Sequence, residues 1–338
     1  MRIGIVNSLN LEKRTGVEEY VYQLLKHLPA VDDYKNHHFF YLNRKTLKWP
    51  LKKLWTQIRL SWEMLKNPVD VLFIPAHSFP FFTKKLVITI HGLEYENVPQ
   101  TYSWWQRIKS RFLTKRSAKK ADKIIVPSRF VKNDLIRFYK INPEKIFVVY
   151  HGINQNYEVG IKNNEFINKY ILCIGGTHKR KNIGKLVEAF EVLQKKYTTE
   201  YELILVGLKF IIHNSKFKAN KNIILKDFIS EPEKWNLLRN AAALVYPSLC
   251  EGFGFPPLEA QRVGVPVVSS NVSAIPEILS DSALLVNPNN PEEIAEAIYR
   301  VLNDEKLRND LIKKGQENVK RFSWPNCAKE TLQIISNF

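Results

Sequence analysis

The stretch that decides the fold lies in the last third of the chain and reads Pro247-Ser248-Leu249-Cys250-Glu251-Gly252-Phe253-Gly254-Phe255-Pro256-Pro257-Leu258-Glu259-Ala260. Two carboxylates, Glu251 and Glu259, lie eight positions apart, with two glycines and a Pro-Pro pair between them. A Pro-Pro pair does not fit a helix interior, so we expect Glu251 on a loop and Glu259 in the first turns of a helix beginning near Pro257. The amides of such a helix start can bind an anion, and the carboxylates can bind hydroxyl groups. A sugar joined to a diphosphate has both features.

Strand and helix patterns alternate along the chain. Short β-branched runs predict two series of strands, over 2–6, 38–42, 69–74, 86–90, 123–126 and 146–150, then over 170–174, 202–206, 222–225, 243–246, 265–269 and 283–286. Apolar residues at helical spacing predict helices over 17–28 and 183–196, and the final segment 324–338 also has a helical pattern. Repeated strand–helix–strand units predict an α/β protein with two doubly wound, Rossmann-like domains and a ligand cleft facing the carboxyl ends of the strands.

Length and composition bound the class of protein. The 338 residues are 45% hydrophobic, enough for two ordinary cores. The three cysteines are far apart and suggest no disulfide framework, which favours a reducing cytoplasm. No apolar run is long enough to cross a bilayer, and the N-terminus reads as a first strand and not as a signal peptide.

A second candidate anion site follows the strand predicted at 170–174. It reads Gly175-Gly176-Thr177-His178-Lys179-Arg180-Lys181-Asn182 and opens a helix, with Asn182 placed to cap it. Lys181 adds a point charge and Arg180 adds a bidentate fork beside the helix amides, which suits a diphosphate. A basic turn alone is usually only a solvated surface, but its combination with the two-glutamate stretch favours the functional interpretation.

Both segments resemble the signature of retaining family-4 glycosyltransferases of the GT-B fold. Glu251 and Glu259 match the E-x(7)-E pattern, and Arg180-Lys181-Asn182 matches the R-K-N or R-K-G pattern of that family. The resemblance covers nearly the whole chain and is strongest over 170–288. It implies an acceptor-binding domain over 1–155, a linker over 156–169, a nucleotide-sugar-binding domain over 170–322, and a helix over 323–338 that crosses back to the first domain.

The resemblance also implies roles for individual residues. Arg180 and Lys181 would stabilise the departing diphosphate, Glu251 would bind sugar hydroxyls, and Glu259 would bind the nucleotide ribose. The implied catalytic residues are His91, Arg180, Lys181 and Glu251. The implied donor-binding residues are Gly16, Gly176, Thr177, Asn182, Gly252, Phe253, Gly254, Phe255, Leu258 and Glu259.

Two positions depart from the family pattern. Many members carry a further Arg where this chain has Gly176 and Thr177, so no residue of this chain is assigned to the phosphate contact of that Arg. Relatives usually have two adjacent glycines after the first strand, where this chain has only Gly16, preceded by Thr15. One glycine still lets backbone approach a sugar or phosphate. No G-x-G-x-x-G occurs, which counts against an NAD enzyme.

Three histidines follow predicted strands of the first half. His91, in Thr89-Ile90-His91-Gly92, matches the T-x-H-D or T-x-H-G position of the family and would contact the transferred sugar. His77 and His151 are further candidates for lining the cleft. A lone histidine at a strand end is more often a structural hydrogen-bonding group, and the matching frame is what favours a functional role for His91.

Neither a cofactor nor a metal ion is expected. The sequence has no D-x-D motif and no cluster of His, Cys and carboxylates with metal-ligand spacing. Arg180, Lys181 and helix dipoles would then stabilise the leaving group. The resemblance implies retention, with attack on the face from which the diphosphate departs and a diphosphate oxygen helping to remove the acceptor proton.

Positive charge is concentrated in the first half of the chain. Residues 1–169 carry 29 Lys and Arg against 14 Asp and Glu, a net charge of +15, whereas residues 170–338 carry 22 against 19, a net charge of +3. Residues 102–123 combine eight Lys or Arg with one acid and the pair Trp104-Trp105, which favours contact with an anionic membrane surface. Nucleic acid is a weaker alternative, since no nucleic-acid module is present, and none is expected as a partner.

A second apolar pattern admits two interpretations. The stretch 51–65 places an apolar stripe at helical spacing, with its lysines off that stripe. The stripe fits a membrane contact and a core-facing helix about equally well. Its members are Leu51, Leu54, Trp55, Ile58, Trp62 and Leu65.

The sequence therefore predicts a metal-independent, retaining hexosyltransferase at the inner face of the cell membrane. The donor would be GDP-mannose or a UDP-hexose, and the acceptor a glycan or lipid-linked molecule in bacterial surface polysaccharide synthesis. A nucleotide-sugar epimerase of the same fold and a non-catalytic partner in a glycosyltransferase complex are the alternatives. The intact Arg180-Lys181 and Glu251–Glu259 sets argue against an inactive site.

Overall fold

The computed structural model describes residues 1–7, 16–43, 46–48, 54–76, 78–154, 169–176, 178–207 and 220–338. Within these ranges the chain forms two compact units, one of Met1–Gly152 with Phe322–Phe338 and one of Ile153–Arg321. Each unit contains a six-stranded parallel sheet. Of the predicted linker 156–169, only Lys169 lies within the described residues.

The first unit contains a doubly wound sheet. Its strands are β1 (Arg2–Val6), β2 (His38–Leu42), β3 (Val71–Ile74), β4 (Leu86–Thr89), β5 (Lys123–Val126) and β6 (Ile146–Val148). Its helices up to β6 are α1 (Gly16–His27), α2 (Leu60–Lys66), α3 (Glu94–Asn97), α4 (Trp104–Lys120) and α5 (Arg129–Tyr139). The strand order is β2-β1-β3-β4-β5-β6. The six strands predicted for this half are confirmed, with ends that differ by up to two residues.

The second unit repeats this plan with another strand order. Its strands are β7 (Tyr170–Ile174), β8 (Glu202–Val206), β9 (Ile223–Lys226), β10 (Ala243–Tyr246), β11 (Val267–Ser270) and β12 (Leu284–Val286). Its described helices are α6 (Ile183–Tyr197), α7 (Glu231–Asn240), α8 (Phe255–Arg262), α9 (Ile275–Leu279), α10 (Pro291–Asn303) and α11 (Glu305–Asn318). The order is β12-β11-β10-β7-β8-β9. The six strands predicted for this half are confirmed as well.

The central strands owe their position to continuous apolar sequence. Every residue of β3, β4 and β10 is buried. Parallel strands covered by helices on both faces read as unbroken hydrophobic runs because neither face meets water. Helices α6 and α10 supply one covering layer of the second sheet, with Phe190 and Ile298 fully buried in its core.

The C-terminal helix α12 (Trp324–Ser336) packs within the first unit, against α1. Ser323 caps it by accepting a hydrogen bond from the amide of Asn326 at 3.4 Å. The chain passes very close to Gly152 at this helix start: a Cβ atom on Gly152 would lie 2.2 Å from the backbone nitrogen of Trp324. Only glycine permits that approach, because the nearest obstructing atom belongs to the backbone.

Helix α8 confirms the predicted helix that carries Glu259. It begins at Phe255, two residues before Pro257, and both Pro256 and Pro257 lie in its first turn. The amides of a first helical turn have no partner within the helix, and prolines there sacrifice no hydrogen bond. Gly254, with φ of 118°, immediately precedes the helix.

The apolar stripe predicted at 51–65 divides between core and surface. Residues Trp55–Arg59 form a π-helical turn that runs into α2. The wider turn separates the buried Trp55 from the buried Leu60 by five residues, and this shift in phase leaves Trp62 and Leu65, which follow the turn, in solvent. The exposed members are Leu54, Ile58, Trp62 and Leu65, whereas Leu51 lies outside the described residues. In the described parts of the chain, none of the helices is both long and apolar enough to span a bilayer.

Candidate active site

The strand order of the second sheet reverses between β7 and β10. β7 is the first strand of its unit, and later strands extend the sheet on both of its sides. The loops after two such strands diverge and leave a crevice at the carboxyl edge of the sheet, where open α/β proteins bind ligands. The loop after β7 carries Arg180 and Lys181, and the loop after β10 carries Glu251.

Hydrogen bonds join these two loops directly. The amide of Leu249 donates to the carbonyl of Arg180 at 2.8 Å, and the guanidinium of Arg180 donates to the carbonyl of Cys250 at 3.1 Å. The loop after β7 also meets the loop after β8, because a Cβ atom on Gly207 would lie 2.9 Å from the Cα of Gly176. Both glycines have positive φ, 67° at Gly176 and 91° at Gly207. Thr177 lies outside the described residues.

Asn182 has a different role from the predicted helix cap. It occupies the position before α6, but its φ is 60° and its side chain makes no capping hydrogen bond. Its amide group instead donates to the carbonyls of Pro247, at 3.2 Å, and Pro288, at 2.6 Å. The left-handed backbone turns the side chain away from the helix amides. Asn182 therefore links the turn that carries Arg180 and Lys181 to the loop after β10.

The centre of the site is a single carboxylate oxygen. Oε1 of Glu251 lies 2.7 Å from a guanidinium nitrogen of Arg180 and 2.7 Å from the ammonium of Lys181. It also accepts a hydrogen bond from the hydroxyl of Tyr246 at 3.0 Å. The Lys181 ammonium donates to the same Tyr246 hydroxyl. Arg180, Lys181, Tyr246 and Glu251 therefore form one connected cluster.

Burial makes the charges of this cluster interact strongly. Glu251 is only 6% exposed, and burial by itself would raise its pKa, but Lys181 and Arg180 outweigh this effect and hold the pKa of Glu251 at about 2. Burial lowers the pKa of the Lys181 ammonium, against the opposing effect of Glu251. Burial and Glu251 raise the pKa of the Tyr246 hydroxyl well above its usual value.

The charges of the cluster do not cancel. Two cations, Arg180 and Lys181, share the one carboxylate of Glu251, which leaves one net positive charge at the carboxyl edge of the sheet. A poorly solvated net charge attracts a counter-ion more strongly than the same charge in water does. The arrangement is chemically suited to an anionic ligand such as a phosphate ester.

The glycine and phenylalanine residues after Glu251 shape the loop that leads into α8. A Cβ atom on Gly254 would lie 2.9 Å from Cδ1 of Ile275, so the loop is packed against α9. Phe253 is buried, with its ring centroid 5.3 Å from that of Phe255. Leu258 is fully buried and packs in the core of the unit. Gly252 lies beside Glu251 in the same loop and is buried.

Glu259 lies one turn into α8 and belongs to a different set of contacts. Its Oε1 atom lies 2.8 Å from the ammonium of Lys234, a residue of α7. The structure thus brings Arg180, Lys181 and Glu251 into direct contact, and it pairs Glu259 with a lysine that the sequence analysis did not single out.

His91 and Gly16, the predicted residues of the first half, lie in the first unit. His91 follows β4, and its Nε2 atom lies 3.2 Å from the carbonyl oxygen of Pro75, to which it donates. Its ring packs edge-on against Tyr20, with 5.0 Å between centroids. Gly16 is the first residue of α1, and the residues before it, 8–15, lie outside the described ranges, as does His77.

His151 is buried and does not line an open surface. Its ring lies between Tyr20, at a centroid distance of 4.4 Å, and Trp324, at 6.1 Å. Burial lowers the pKa of His151 well below its ordinary value, and nearby His91 lowers it further. The neutral ring therefore acts as packing between α1 and the start of α12. The interpretation of His151 as a cleft-lining residue stays a prediction.

The described residues contain no group of three or more His, Cys, Asp or Glu side chains arranged to hold a metal ion. The charged site built from these residues is instead cationic. Arg180 and Lys181 only donate hydrogen bonds, the Tyr246 hydroxyl accepts one from Lys181 and donates one to Glu251, and Oε1 of Glu251 is surrounded by donors.

Two adjacent family matches cover most of the chain. Residues 14–157 match the family described as Glycosyltransferase Family 4, and residues 161–318 match Glycosyl transferases group 1. The chain is a family-4, group 1 glycosyltransferase. The predicted family and enzyme class are thereby confirmed.

Relatives and a solved structure agree with this assignment. The glycosyltransferase is 29% identical over 300 residues to the O-antigen chain mannosyltransferase RfbU of Salmonella typhimurium, covering 87% of this chain and 79% of that one. It is 27% identical over 310 residues to the O-antigen chain mannosyltransferase B of Escherichia coli, covering 86% and 81%. Sucrose-phosphate synthase from Thermosynechococcus elongatus superposes with a TM-score of 0.78 at 21% identity, covering 98% of both chains. That likeness confirms the GT-B fold.

Two residues of the glycosyltransferase site were missed in the sequence analysis. Tyr246 is the last residue of β10, and its position at the end of a predicted strand before the two-glutamate stretch was a usable signal. Lys234 lies 25 positions before Glu259, and nothing in the spacing of the sequence indicates their contact.

Proposed function

We propose that this glycosyltransferase moves a hexose from a nucleotide-diphosphate donor to a glycan or lipid-linked acceptor in the synthesis of a bacterial surface polysaccharide. The observation that carries the proposal is the net positive cluster of Arg180, Lys181 and Glu251 at the strand-order reversal of the second sheet. Such a cluster suits the diphosphate that is released during transfer.

The donor is proposed to be GDP-mannose or a UDP-hexose. Two relatives over most of the chain are named as O-antigen chain mannosyltransferases, which supports mannose as the transferred sugar and a surface polysaccharide as the product. A few local contacts decide which base of the nucleotide is bound.

Leaving-group stabilisation is the proposed main catalytic effect. As the bond to the sugar breaks, negative charge grows on the diphosphate, and Arg180 and Lys181 are already oriented by Glu251. Preorganised cations in a poorly solvated site stabilise such charge without further rearrangement. We propose that these side chains suffice and that the reaction needs no divalent metal.

Glu251 is proposed to bind sugar hydroxyls as a carboxylate. Its pKa of about 2 makes it a weak base, unsuited to removing a proton from an acceptor hydroxyl. This supports a retaining reaction in which a diphosphate oxygen helps to remove that proton. Glu259 is proposed to bind the ribose of the donor, and His91, in the first unit, to contact the transferred sugar.

Thermal-shift measurements with GDP-, UDP- and ADP-sugars test the proposal. We expect one nucleotide series to raise the melting temperature, with the effect lost in Lys181→Ala and reduced in Glu259→Ala. Lys195→Ala, which removes an exposed charge at the other end of α6, is the matched control and should keep the response. An equal response in wild type and Lys181→Ala would contradict the phosphate role.

Product analysis then defines the reaction. Incubation with donor and acceptor should give an α- or β-linked product with the anomeric configuration of the donor, read by NMR. Activity should persist in EDTA; activity that is lost in EDTA and restored by manganese would contradict the metal-independent mechanism. Epimerised donor formed without acceptor would identify an epimerase instead.

An anionic membrane surface is the proposed partner of the first unit. Helix α4 exposes Trp104, Trp105, Ile108 and Phe112 among its many Lys and Arg residues. Exposed aromatic rings beside cations suit the headgroup region of an anionic bilayer, where rings insert and charges meet phosphates.

The same surface continues from α4 to α2. Lys120, near the end of α4, donates to the carbonyl of Phe81, and the amide of Phe81 donates to the hydroxyl of Ser61 in α2 at 2.7 Å. Phe81 and Phe82 are exposed, and so are Trp62 and Leu65 of α2. We propose that the exposed part of the α2 stripe joins α4 in the membrane contact, which would place the enzyme at the inner face of the cell membrane.

A further inference from the structure

We infer that Lys234 is a positioning residue for Glu259, and that it fixes the carboxylate proposed to bind the donor ribose. The inference rests on the proposed function, because it assigns a purpose to Glu259 only if this enzyme binds a ribonucleotide donor. What the structure adds is a half-buried lysine, on a different helix, that contacts this particular carboxylate.

The contact between the two residues is short and shielded from solvent. The ammonium of Lys234 lies 2.8 Å from Oε1 of Glu259, and the side chains are 16% and 14% exposed. Exposed ion pairs contribute little to stability because water and mobile side chains weaken them. The Lys234–Glu259 pair is half-buried, so separating it would leave a poorly solvated, uncompensated charge, and this restricts its orientation.

Lys234 is itself held from its own helix. Its ammonium lies 3.0 Å from Oε1 of Glu231, one turn earlier in α7, and 5.2 Å from the ring centroid of Trp235. The indole nitrogen of Trp235 donates to the other oxygen of Glu231 at 3.2 Å, and Trp235 is buried. Ser230 caps the helix start by accepting from the amide of Glu233 at 3.4 Å. The lysine therefore projects from a rigid first turn.

The charge state of Lys234 does not vary at working pH. Burial would lower its pKa, but Glu259 and Glu231 outweigh burial and raise it above the usual value. A permanent ammonium at Oε1 restricts rotation of the Glu259 carboxylate. Its second oxygen is then presented in a fixed direction, which is what a hydrogen bond to a ribose hydroxyl requires.

Helices α7 and α8 begin after β9 and β10, so both start at the carboxyl edge of the second sheet. The Lys234–Glu259 pair thus ties two helix starts at the edge where ligands bind in open α/β sheets. An ion pair that only stabilises the fold can lie at any edge of the sheet. Lys169 and Glu200 form such a pair, 2.6 Å apart and largely exposed, at the amino ends of β7 and β8.

The test compares a ribonucleotide with its 2′-deoxy analogue. Dissociation constants for GDP and 2′-deoxy-GDP, or for UDP and 2′-deoxy-UDP where the enzyme prefers uracil, are measured by calorimetry for each variant. A hydroxyl bonded to a charged carboxylate should give wild type a preference of about tenfold or more for the ribonucleotide. Lys234→Met should lose most of that preference, Lys234→Arg should restore much of it, and Lys169→Met should keep it.

Pyrophosphate binding separates positioning from misfolding. Lys234→Met should bind inorganic pyrophosphate as wild type does, because Arg180 and Lys181 are untouched. Loss of the ribose preference with retained pyrophosphate binding supports the inference. A Lys234→Met variant that binds pyrophosphate and keeps the full preference overturns it.

The Glu259→Gln variant distinguishes the ribose-binding role of Glu259 from the positioning role of Lys234. If Glu259→Gln loses the ribose preference and Lys234→Met does not, Glu259 binds ribose and the positioning role of Lys234 is wrong. If Glu259→Gln keeps the preference, the ribose role of Glu259 fails, and the inference fails with it. A wild-type enzyme that binds no nucleotide contradicts the proposed function itself.

Discussion

The hydroxyl of Tyr246 lies 3.0 Å from Oε1 of Glu251, the same oxygen that Arg180 and Lys181 contact. Tyr246 ends β10, so a buried central strand of the sheet supplies a donor to a carboxylate on the following loop. The hydroxyl also accepts a hydrogen bond from Lys181. Tyr246 is therefore the point at which the sheet orients both members of the Lys181–Glu251 pair.

Replacing Tyr246 by Phe should lower kcat/KM about tenfold without unfolding the protein, because the ring stays and one hydrogen-bond network is lost. Steady-state kinetics with the preferred donor would measure the effect. Tyr170→Phe is the matched control, since it removes a buried hydroxyl that donates to the carbonyl of Leu237 at 2.7 Å. That control should cost about 1 kcal/mol of stability and little activity. Equal losses of activity in the two variants would count against a specific role for Tyr246.

Glu251 should make stability depend on pH in the acid range. Its folded pKa of about 2 lies below the ordinary value of 4.5. A depressed carboxyl pKa contributes stability that is fully present above about pH 4.5 and is lost as the pH falls toward 2. At neutral pH the contribution is on the order of 3 kcal/mol.

Denaturant unfolding of wild type and Glu251→Gln between pH 6 and pH 3 measures this contribution. The stability difference between the two proteins should shrink as the pH falls, because the wild-type carboxylate becomes protonated only in the unfolded chain. Curves that stay parallel over this range would show that the carboxyl is not specially stabilised in the folded protein.

The fold followed from the sequence because its signals are local. The apolar run 243–246 and the turn residues after it predict a strand and a loop without reference to distant parts of the chain, and β10 with the Glu251 loop confirms them. The proximity of Arg180 to Glu251 could be inferred from the sequence because both residues follow strands of one parallel sheet, and the carboxyl ends of those strands share an edge.

The details that failed depend on backbone conformation or on distant partners. Asn182 is a favourable capping residue by type, but a φ of 60° turns its side chain toward two carbonyls instead. The stripe at 54–65 loses its regular spacing at the π-helical turn Trp55–Arg59. No residue pattern in the sequence predicts this turn. The pairing of Lys234 with Glu259 arises from the packing of α7 on α8, and such long-range contacts leave no periodic trace.

Asn182 allows backbone strain and hydrogen bonding to be separated. Asn182→Gly tolerates the positive φ and loses two hydrogen bonds, so we expect a loss of about 2 kcal/mol. Asn182→Ala loses the same bonds and adds the cost of left-handed backbone for a Cβ residue, about 1 kcal/mol more. Denaturant unfolding would compare them. An alanine variant as stable as the glycine variant would mean that the turn relaxes on substitution.

Gly152 should tolerate no side chain. A Cβ atom there would lie 2.2 Å from the nitrogen and 2.5 Å from Cγ of Trp324, and backbone cannot move aside as a flexible side chain can. Gly152→Ala should cost roughly 3 kcal/mol or displace the start of α12. Gly184→Ala, in α6 with open space around the added Cβ, should be neutral or slightly stabilising. Melting temperatures that fall equally in the two variants would contradict this view of Gly152.

The basic, aromatic surface of α4 gives the last prediction. Trp105 is 72% exposed in a helix that carries Lys and Arg along its length, so its ring is free to enter the headgroup region of a bilayer. Trp105→Ala should weaken binding to phosphatidylglycerol-containing vesicles about tenfold, because burial of a large ring in the interface is lost. Phe228→Ala, which removes an exposed aromatic ring from the second unit, should bind as wild type does.

Four further comparisons test the contact with lipid. Binding should weaken as salt rises, since the cations meet phosphates, and it should be slight on vesicles of phosphatidylcholine alone. Trp62→Ala should weaken vesicle binding only if the α2 stripe enters the bilayer together with α4. Equal affinity for single-stranded DNA at the same ionic strength, with the same loss in Trp105→Ala, would identify the surface as a general polyanion site. A preference for anionic vesicles over DNA would mean that the rings, and not charge alone, select the partner.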